Sequence, residues 1–258
     1  MDRGFLTPLE ISRATISSAE VKAKLSTTKL LILGMMAGLY IGLGGFAYII
    51  VSQTLGNIDV GLARLLGASV FPVGLMLVVF TGSELFTGNN LMTMAVMDGK
   101  ITIEGLLRNW ILVYLGNFIG SVLLAYAIYN SKLMTEDILS FVLNSGVAKT
   151  SIDFHAAFLR GVLCNILVVL SIWSATGSKD MISKVFAIWF PIMLFVLSGY
   201  EHSIANMFFI PLAKVAGSNI SWIKIWTSNL IPVTLGNIAG GAILVPIIYY
   251  ISYIIPKE

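Results

Sequence analysis

Thiol and imidazole are scarce in this chain. Cys164 is the sole cysteine, and His155 and His202 are the only histidines among 258 residues. A lone cysteine closes no internal disulfide, and one thiol with two imidazoles cannot build a four-ligand zinc site. Charge is sparse as well: Lys, Arg, Asp and Glu make up 11% of the chain, against about 25% in soluble domains. There is no Lys/Arg run and no basic stripe interleaved with aromatics, so no nucleic-acid partner is expected. Neither His-Glu-x-x-His nor Gly-x-Ser-x-Gly occurs, and neither an enzyme nor a cofactor or metal is expected. What is abundant is apolar: 57% of residues, with a mean hydropathy of +0.90. Such a surface must face lipid.

A membrane-crossing helix needs about 20 apolar residues. Six stretches qualify, at 29–51, 65–97, 107–129, 155–175, 185–211 and 229–254, and the second and fifth are too long and interrupted for one simple span. The interruptions echo one another. Gly82-x-Glu84-x-x-x-x-Asn89 recurs as Gly199-x-Glu201-x-x-x-x-Asn206. Further on, Asn109-x-x-x-Val113-x-Leu115-Gly116-Asn117-x-x-Gly120 recurs as Asn229-x-x-x-Val233-x-Leu235-Gly236-Asn237-x-x-Gly240. A Phe-Pro pair precedes each break, at Phe71-Pro72 and Phe190-Pro191. Paired breaks in two halves point to a solute site at mid-membrane. Three spans per half give opposite orientations. The expected fold is therefore an all-α integral membrane protein, with six helices in an inverted 3+3 repeat whose second and fifth helices are broken.

Domain bounds follow. Residues 1–25 form a polar, amphipathic N-terminal segment with apolar Leu9, Ile16 and Val21, read as an interfacial helix or, alternatively, a gating element. Residues 26–254 form one transmembrane domain, with halves at about 26–130 and 150–254, and 255–258 are a tail. No signal peptide is visible. Lys and Arg concentrate in the segments that are cytoplasmic if both termini are, Arg3 and Lys257 included, which favours cytoplasmic N- and C-termini.

Within the breaks, Gly82, Gly88 and Gly199 supply loop dihedrals at a depth where non-helical backbone survives only inside protein or along a cavity. Glu84, with its echo Glu201, is an ionisable residue at membrane depth. It serves a function or pairs internally, or else caps the free N–H groups of a restarted half-helix. The cap is the reading preferred, because the echo repeats its place. Asn89 and Asn206 belong to the same structural set. The echo departs from symmetry where Leu85 stands opposite His202. An imidazole at this depth is costly unless it serves a path, and imidazole exchanges protons near neutral pH. Phe71, Leu75, Leu85, Phe86, Leu194 and Phe195 are either helix packing or apolar collars that gate by dewetting. Lys149 is either a solvated lysine or a cation concentrating anions at a pore mouth. Asn165 bonds a neighbouring helix or lines the pore.

On Glu84-Leu85-Phe86-Thr87-Gly88-Asn89, Leu163-Cys164-Asn165, Gly199 to Pro211 and Asn229 to Asn237, the chain resembles the formate–nitrite transporter family over residues 25–254. It is especially similar to short bacterial members, among which is a hydrosulfide channel. The resemblance implies an aquaporin-like protomer in a bacterial cytoplasmic membrane, assembled as a homopentamer with one pore each. It implies passage of small monovalent anions such as formate, nitrite or hydrosulfide. It casts His202 as the central pore histidine and Thr87 as its partner, Lys149 and Asn165 as vestibule residues, and Phe71, Leu75, Leu85, Phe86 and Phe195 as constrictions. The rival reading is a water or glycerol channel of the aquaporin class. Two Asn-Pro-Ala repeats are expected there, and neither break contains one.

Overall fold

The computed structural model describes residues 4–255. Arg3, Lys257 and the tail beyond Ile255 lie outside the described residues. The elements are α1 (Pro8–Ala23), α2 (Thr27–Ser52), α3 (Val60–Val70), α4 (Val73–Thr81), α5 (Thr93–Met97), α6 (Ile103–Asn130), α7 (Glu136–Lys149), α8 (Phe154–Gly177), α9 (Met181–Leu197), α10 (Ser203–Val215) and a long final helix, α11 (Trp222–Tyr253), that includes two π turns. Among the described residues the sole β contact is an isolated bridge between Phe5 and Ser178. Helix starts follow local chemistry. Thr7, Ser26, Thr102, Thr135, Asp153, Asp180 and Ser221 each accept a backbone N–H from the first turn. Thr7 and Glu10 complete a capping box ahead of α1.

Among the described residues five stretches are long and apolar enough to cross a membrane: Thr27–Asn57, Val60–Thr81, Ile103–Asn130, Phe154–Gly177 and Trp222–Tyr253. The remaining expected span, 185–211, is divided between the shorter apolar helices α9 and α10. Both expected breaks are present. α4 ends at Gly82 (φ 71°), and the chain turns at Gly199 (φ 72°) just past α9. Both dihedrals lie in the left-handed region that glycine tolerates. After the first break the chain resumes as a 3₁₀ turn, Gly88–Met92, leading into α5.

The two halves repeat their packing. In the first, Gly34 of α2 meets α6 at Val113 and Gly116. In the second, Gly161 of α8 meets α11 at Val233 and Gly236. The backbones are close enough that a Cβ on Gly116 would stand 2.7 Å from the Leu31 carbonyl oxygen, and one on Gly161 2.7 Å from that of Val233. Small residues permit this approach, which suits association in lipid. The Phe-Pro echo, by contrast, is not structural: Phe71 is buried, while Phe190 is 56% exposed.

The N-terminal segment is a helix docked on the protein body. Its buried face is Ile11, Ser12, Thr15, Ile16 and Ala19, with Ile11, Ile16 and Ala19 packed against Met92, Met94, Ala95, Leu106 and Trp173. The protein body covers Ile11, Ile16 and Ala19 and leaves Leu9 and Val21 uncovered.

Gly116→Ala and Gly161→Ala are each expected to destabilise the protein by about 1–3 kcal/mol, since only backbone can give way. Gly105→Ala, whose Cβ would meet nothing nearer than Thr102 Oγ1 at 3.4 Å, is expected to be neutral. Thermal unfolding in detergent measures both.

Candidate functional site

The first break is held by four polar side chains. Lys22 Nζ, from α1, lies 2.9 Å from Glu84 Oε1 and donates to Asn89 Oδ1 at 2.8 Å. The Asn89 amide donates to Glu84 Oε2 at 2.6 Å and to Asn109 Oδ1 at 2.9 Å. The second break repeats this. Lys149 Nζ, from the end of α7, takes both Glu201 oxygens at 2.9 and 3.1 Å. The Asn206 amide donates to Glu201 Oε2 at 2.6 Å and to Asn229 Oδ1 at 2.7 Å. Asn229 closes the set by donating to the Lys149 carbonyl at 2.9 Å.

A second pair of asparagines satisfies the interrupted backbone. Asn117 Oδ1 accepts the Phe86 N–H at 3.0 Å, while its amide donates to the carbonyls of Gly34 and Glu84. Asn237 Oδ1 accepts the Ser203 N–H at 2.9 Å, while its amide donates to Gly161 and Glu201. These contacts correct the expected role of the glutamates. Their carboxylates do not cap half-helices. A carboxylate at this depth needs a full counter-charge, which lysine supplies, whereas a single orphan N–H is satisfied by a neutral amide. The cap of α10 is His202, whose Nδ1 accepts the Ala205 N–H at 3.1 Å.

That cap fixes the imidazole. With Nδ1 accepting, the ring proton sits on Nε2. Nε2 lies 2.8 Å from Thr87 Oγ1, so it donates to threonine, and the threonine hydroxyl hydrogen is left to point elsewhere. One cavity reaches Leu85 and Gly88, which lie on either side of Thr87 in the chain, and another reaches His202. The first, of about 280 Å³, is bordered by Lys22, Glu84, Leu85, Gly88 and residues of α1. The second, of about 110 Å³, is bordered by Lys149, Glu201, His202, Phe71 and Phe195. Phe71, Leu75 and Val78 recur at helical spacing, with Phe71 in the second cavity, Val78 in the first and Leu75, 1% exposed, between them. Phe195 meets Phe71 edge-on at 5.6 Å and lies over the His202 ring at 5.8 Å.

Leu194, Phe86 and Asn165 stand outside the pore positions expected of them, while Lys149 keeps its place at a cavity but is paired. Leu194 is 46% exposed on the outer surface of the protomer, because its neighbour Phe195 takes the inward direction on α9. Phe86 is buried but borders neither cavity; its ring packs edge-on against Trp110 at 5.7 Å and Tyr114 at 4.9 Å. Lys149 does border a cavity, yet as the partner of Glu201 rather than a free cation. Asn165 lies outside both vestibules. It is fully buried, its amide within reach of Asn90 Oδ1 (2.8 Å) and the carbonyls of Asn237 (2.8 Å) and Thr87 (3.3 Å). Lys22 is the residue sequence reading missed. A signal was available: it precedes Gly34 by the same twelve residues as Lys149 precedes Gly161. These matched contacts reach α1 and α7, outside halves drawn at 26–130 and 150–254.

Paired half-helices, a narrow polar centre and two charged vestibules define a multi-pass membrane protein of the channel and transporter class. The chain belongs to the formate/nitrite transporter family, whose profile matches residues 9–251. It is 40% identical to a probable formate transporter of Methanothermobacter thermautotrophicus, covering 98% of this chain and 99% of that one. It is 33% identical to a formate channel of Escherichia coli over 96% and 95% of the two chains. Among solved structures, a pentameric formate channel with formate bound superposes with a TM-score of 0.79 at 33% identity, covering 89% of this chain and 98% of that one. An ion channel of the same family superposes at 0.84, also at 33% identity, over 94% and 98%.

Lys149→Met leaves the Glu201 carboxylate, 6% exposed, without its counter-charge. Stability is expected to fall by roughly 3–5 kcal/mol. The double variant Lys149→Met/Glu201→Gln removes both charges and is expected to recover most of the loss. A double variant as unstable as the single one would show that the lysine acts through something other than the pair.

Proposed function

We propose that the protein is a channel for small monovalent weak-acid anions, with formate foremost and nitrite or hydrosulfide as further candidates. The observation that carries this reading is the Thr87–His202 hydrogen bond at 2.8 Å, with Phe195 stacked on the imidazole and Phe71 against Phe195. The relatives named as formate transporters and channels place formate first.

The proposed passage runs in three steps. An anion enters a vestibule and is attracted to the cationic end of the ion pair, where it competes with the glutamate for the lysine. It then sheds water against the apolar collar, where an isolated charge is expensive. At the centre its polar contacts are the His202 Nε2–H and the Thr87 hydroxyl, and a proton drawn from vestibule water, which is left as hydroxide in the bulk, offsets the charge of the permeant weak acid. The charged groups around this path are Lys149 and Glu201 on one side and Lys22 and Glu84 on the other. Each pair is neutral overall, so no fixed net charge traps the anion. A divalent anion would bear a far larger desolvation penalty, and larger solutes meet the Phe71–Phe195 contact.

The homopentamer is proposed on the likeness to the pentameric structure. An inverted 3+3 repeat is supported by the duplicated contacts of the breaks, and cytoplasmic termini by the Lys/Arg bias. Residues 26–254 are proposed as the membrane domain.

Formate uptake into proteoliposomes tests the reading, with glycerol as control. Formate is expected to enter quickly, faster at pH 5 than at pH 8, with glycerol slow. Fast glycerol without formate entry would support a neutral-solute channel instead. His202→Asn and Thr87→Val are each expected to reduce formate flux at least about tenfold, the scale of one lost hydrogen bond to a charged group. His202→Asn is also expected to flatten the pH dependence; an unaltered profile would remove the imidazole from proton handling.

A further inference from the structure

The repeat relates the two vestibules, but they are not chemically equal. On α1, Thr15, Ser18 and Lys22 recur at helical spacing and border the larger cavity. Thr15 is 8% exposed, and its Oγ1 has no hydrogen-bond partner among the described residues. A local alternative exists on the same helix, where Ser12 donates to the Pro8 carbonyl at 2.9 Å. Thr15 does not make the equivalent bond. Lys22 spends two of its three N–H groups, on Glu84 and Asn89. Of the other hydroxyls of this vestibule, Ser83 pairs with Thr81 and Thr176 donates to the Ile172 carbonyl, while Ser18 is exposed and needs no internal partner.

In the second half, the residue seven before Lys149 is Val142. It is 2% exposed, belongs to the main apolar cluster and does not border the Lys149 cavity. That smaller cavity is faced instead by the rings of Tyr48, Phe71, Phe195, Tyr200 and Phe209, with half-buried Ser145 at the place of Ser18. The Lys149 ammonium, with two N–H groups on Glu201, also stands 5.5 Å from the Phe209 ring centroid.

We infer that the Thr15 hydroxyl is an anion ligand of the α1-side vestibule, so that the pore binds its carboxylate substrate more tightly on that side than on the other. The inference rests on the channel reading above. A buried hydroxyl left unpaired is costly. An anion is the acceptor that satisfies it, and Lys22 on the same face supplies the charge. The opposite vestibule has an ion pair, but the hydroxyls that border it, on Tyr48, Ser145 and Tyr200, are only half-buried, and none is a buried hydroxyl left unpaired. The result is a pore with unequal half-saturation for entry from its two ends.

The test is formate flux measured separately as uptake into, and efflux from, cells expressing the full-length protein, at varied formate on the entry side. Thr15→Val is expected to raise the half-saturating concentration by roughly 3- to 10-fold in one direction only, the scale of one hydroxyl–anion hydrogen bond. Maximal flux should rise with it, because the lost interaction precedes the barrier and does not belong to it. Thr15→Ser, which keeps the hydroxyl, is expected to behave as the unaltered protein. Melting temperature should not fall in Thr15→Val, since the hydroxyl has no internal partner to lose. A shift in neither direction, or an equal shift in both, with formate still transported, overturns the inference and leaves the channel reading standing. Absence of formate flux in the unaltered protein overturns the channel reading itself, and the inference with it.

Discussion

Two helices stop inside what must be the apolar layer, and the amides of Asn117 and Asn237 close them. Backbone polar groups cannot be left open in hydrocarbon, and each asparagine makes three bonds at once. It receives one N–H of the break and donates to the carbonyl before it. It also donates to a glycine on the neighbouring helix, Gly34 or Gly161. The third bond sets the packing. For Asn117 on α6 to reach a carbonyl of α2, the two backbones must run almost in contact, and Gly34 and Gly116 make that possible. α8 and α11 meet the same requirement through Gly161 and Gly236. Helix packing and pore geometry are thus one constraint.

The ion pairs belong to the next layer out. A carboxylate beside each break would repel the anions that the channel is proposed to carry. Lys22 and Lys149 cancel that repulsion, and Asn89 and Asn206 hold the carboxylates in place. Both lysines are tethered beyond the membrane helices, one on α1 and one on α7. These amphipathic helices are therefore structural parts of the vestibules. The docking of α1 on the body through Ile11, Ile16 and Ala19 is what delivers Lys22 to Glu84.

The spans and both breaks were legible in the sequence because their signals are local: apolar length, glycine in an apolar run, and a motif repeated at matching places. What escaped was long-range. Lys22 lies in a polar stretch that reads as an interfacial helix, and its partner is more than sixty residues away, so only the matching interval to Gly34 hints at its role. The two glutamates looked like caps because the motif shows them beside a break and conceals the lysine that neutralises them. Leu194 and Phe195 are both apolar and adjacent, yet neighbours on a helix point about 100° apart, so one faces the cavity and the other does not. Asn165 reads either as a bond to a neighbouring helix or as a pore polar group, and its contacts fit the first: its amide is consumed within the core, bracing the Thr87 carbonyl against Asn90 and Asn237.

The departures from symmetry matter more for function than the symmetry itself. Strict duplication would put the same residue on each side of the centre, and two imidazoles or two hydroxyls make a poorer complementary pair than one of each. The halves differ where they meet: Leu85 stands opposite His202, and Thr87 opposite Ile204. Each half thus contributes one polar and one apolar residue, and the Thr87–His202 bond crosses between halves. The space is exchanged in the same way. In the first half Gly38 is small and its carbonyl takes the Ser121 hydroxyl at 3.1 Å. In the second, Asn165 occupies the Gly38 position, and Gly241 replaces Ser121 to admit it; a Cβ there would strike the Asn165 amide. The Asn165 brace beneath Thr87 therefore depends on a glycine some seventy residues along the chain. A repeat that holds its backbone by symmetric amides is free to differ in the side chains between them, and there the polar centre is built.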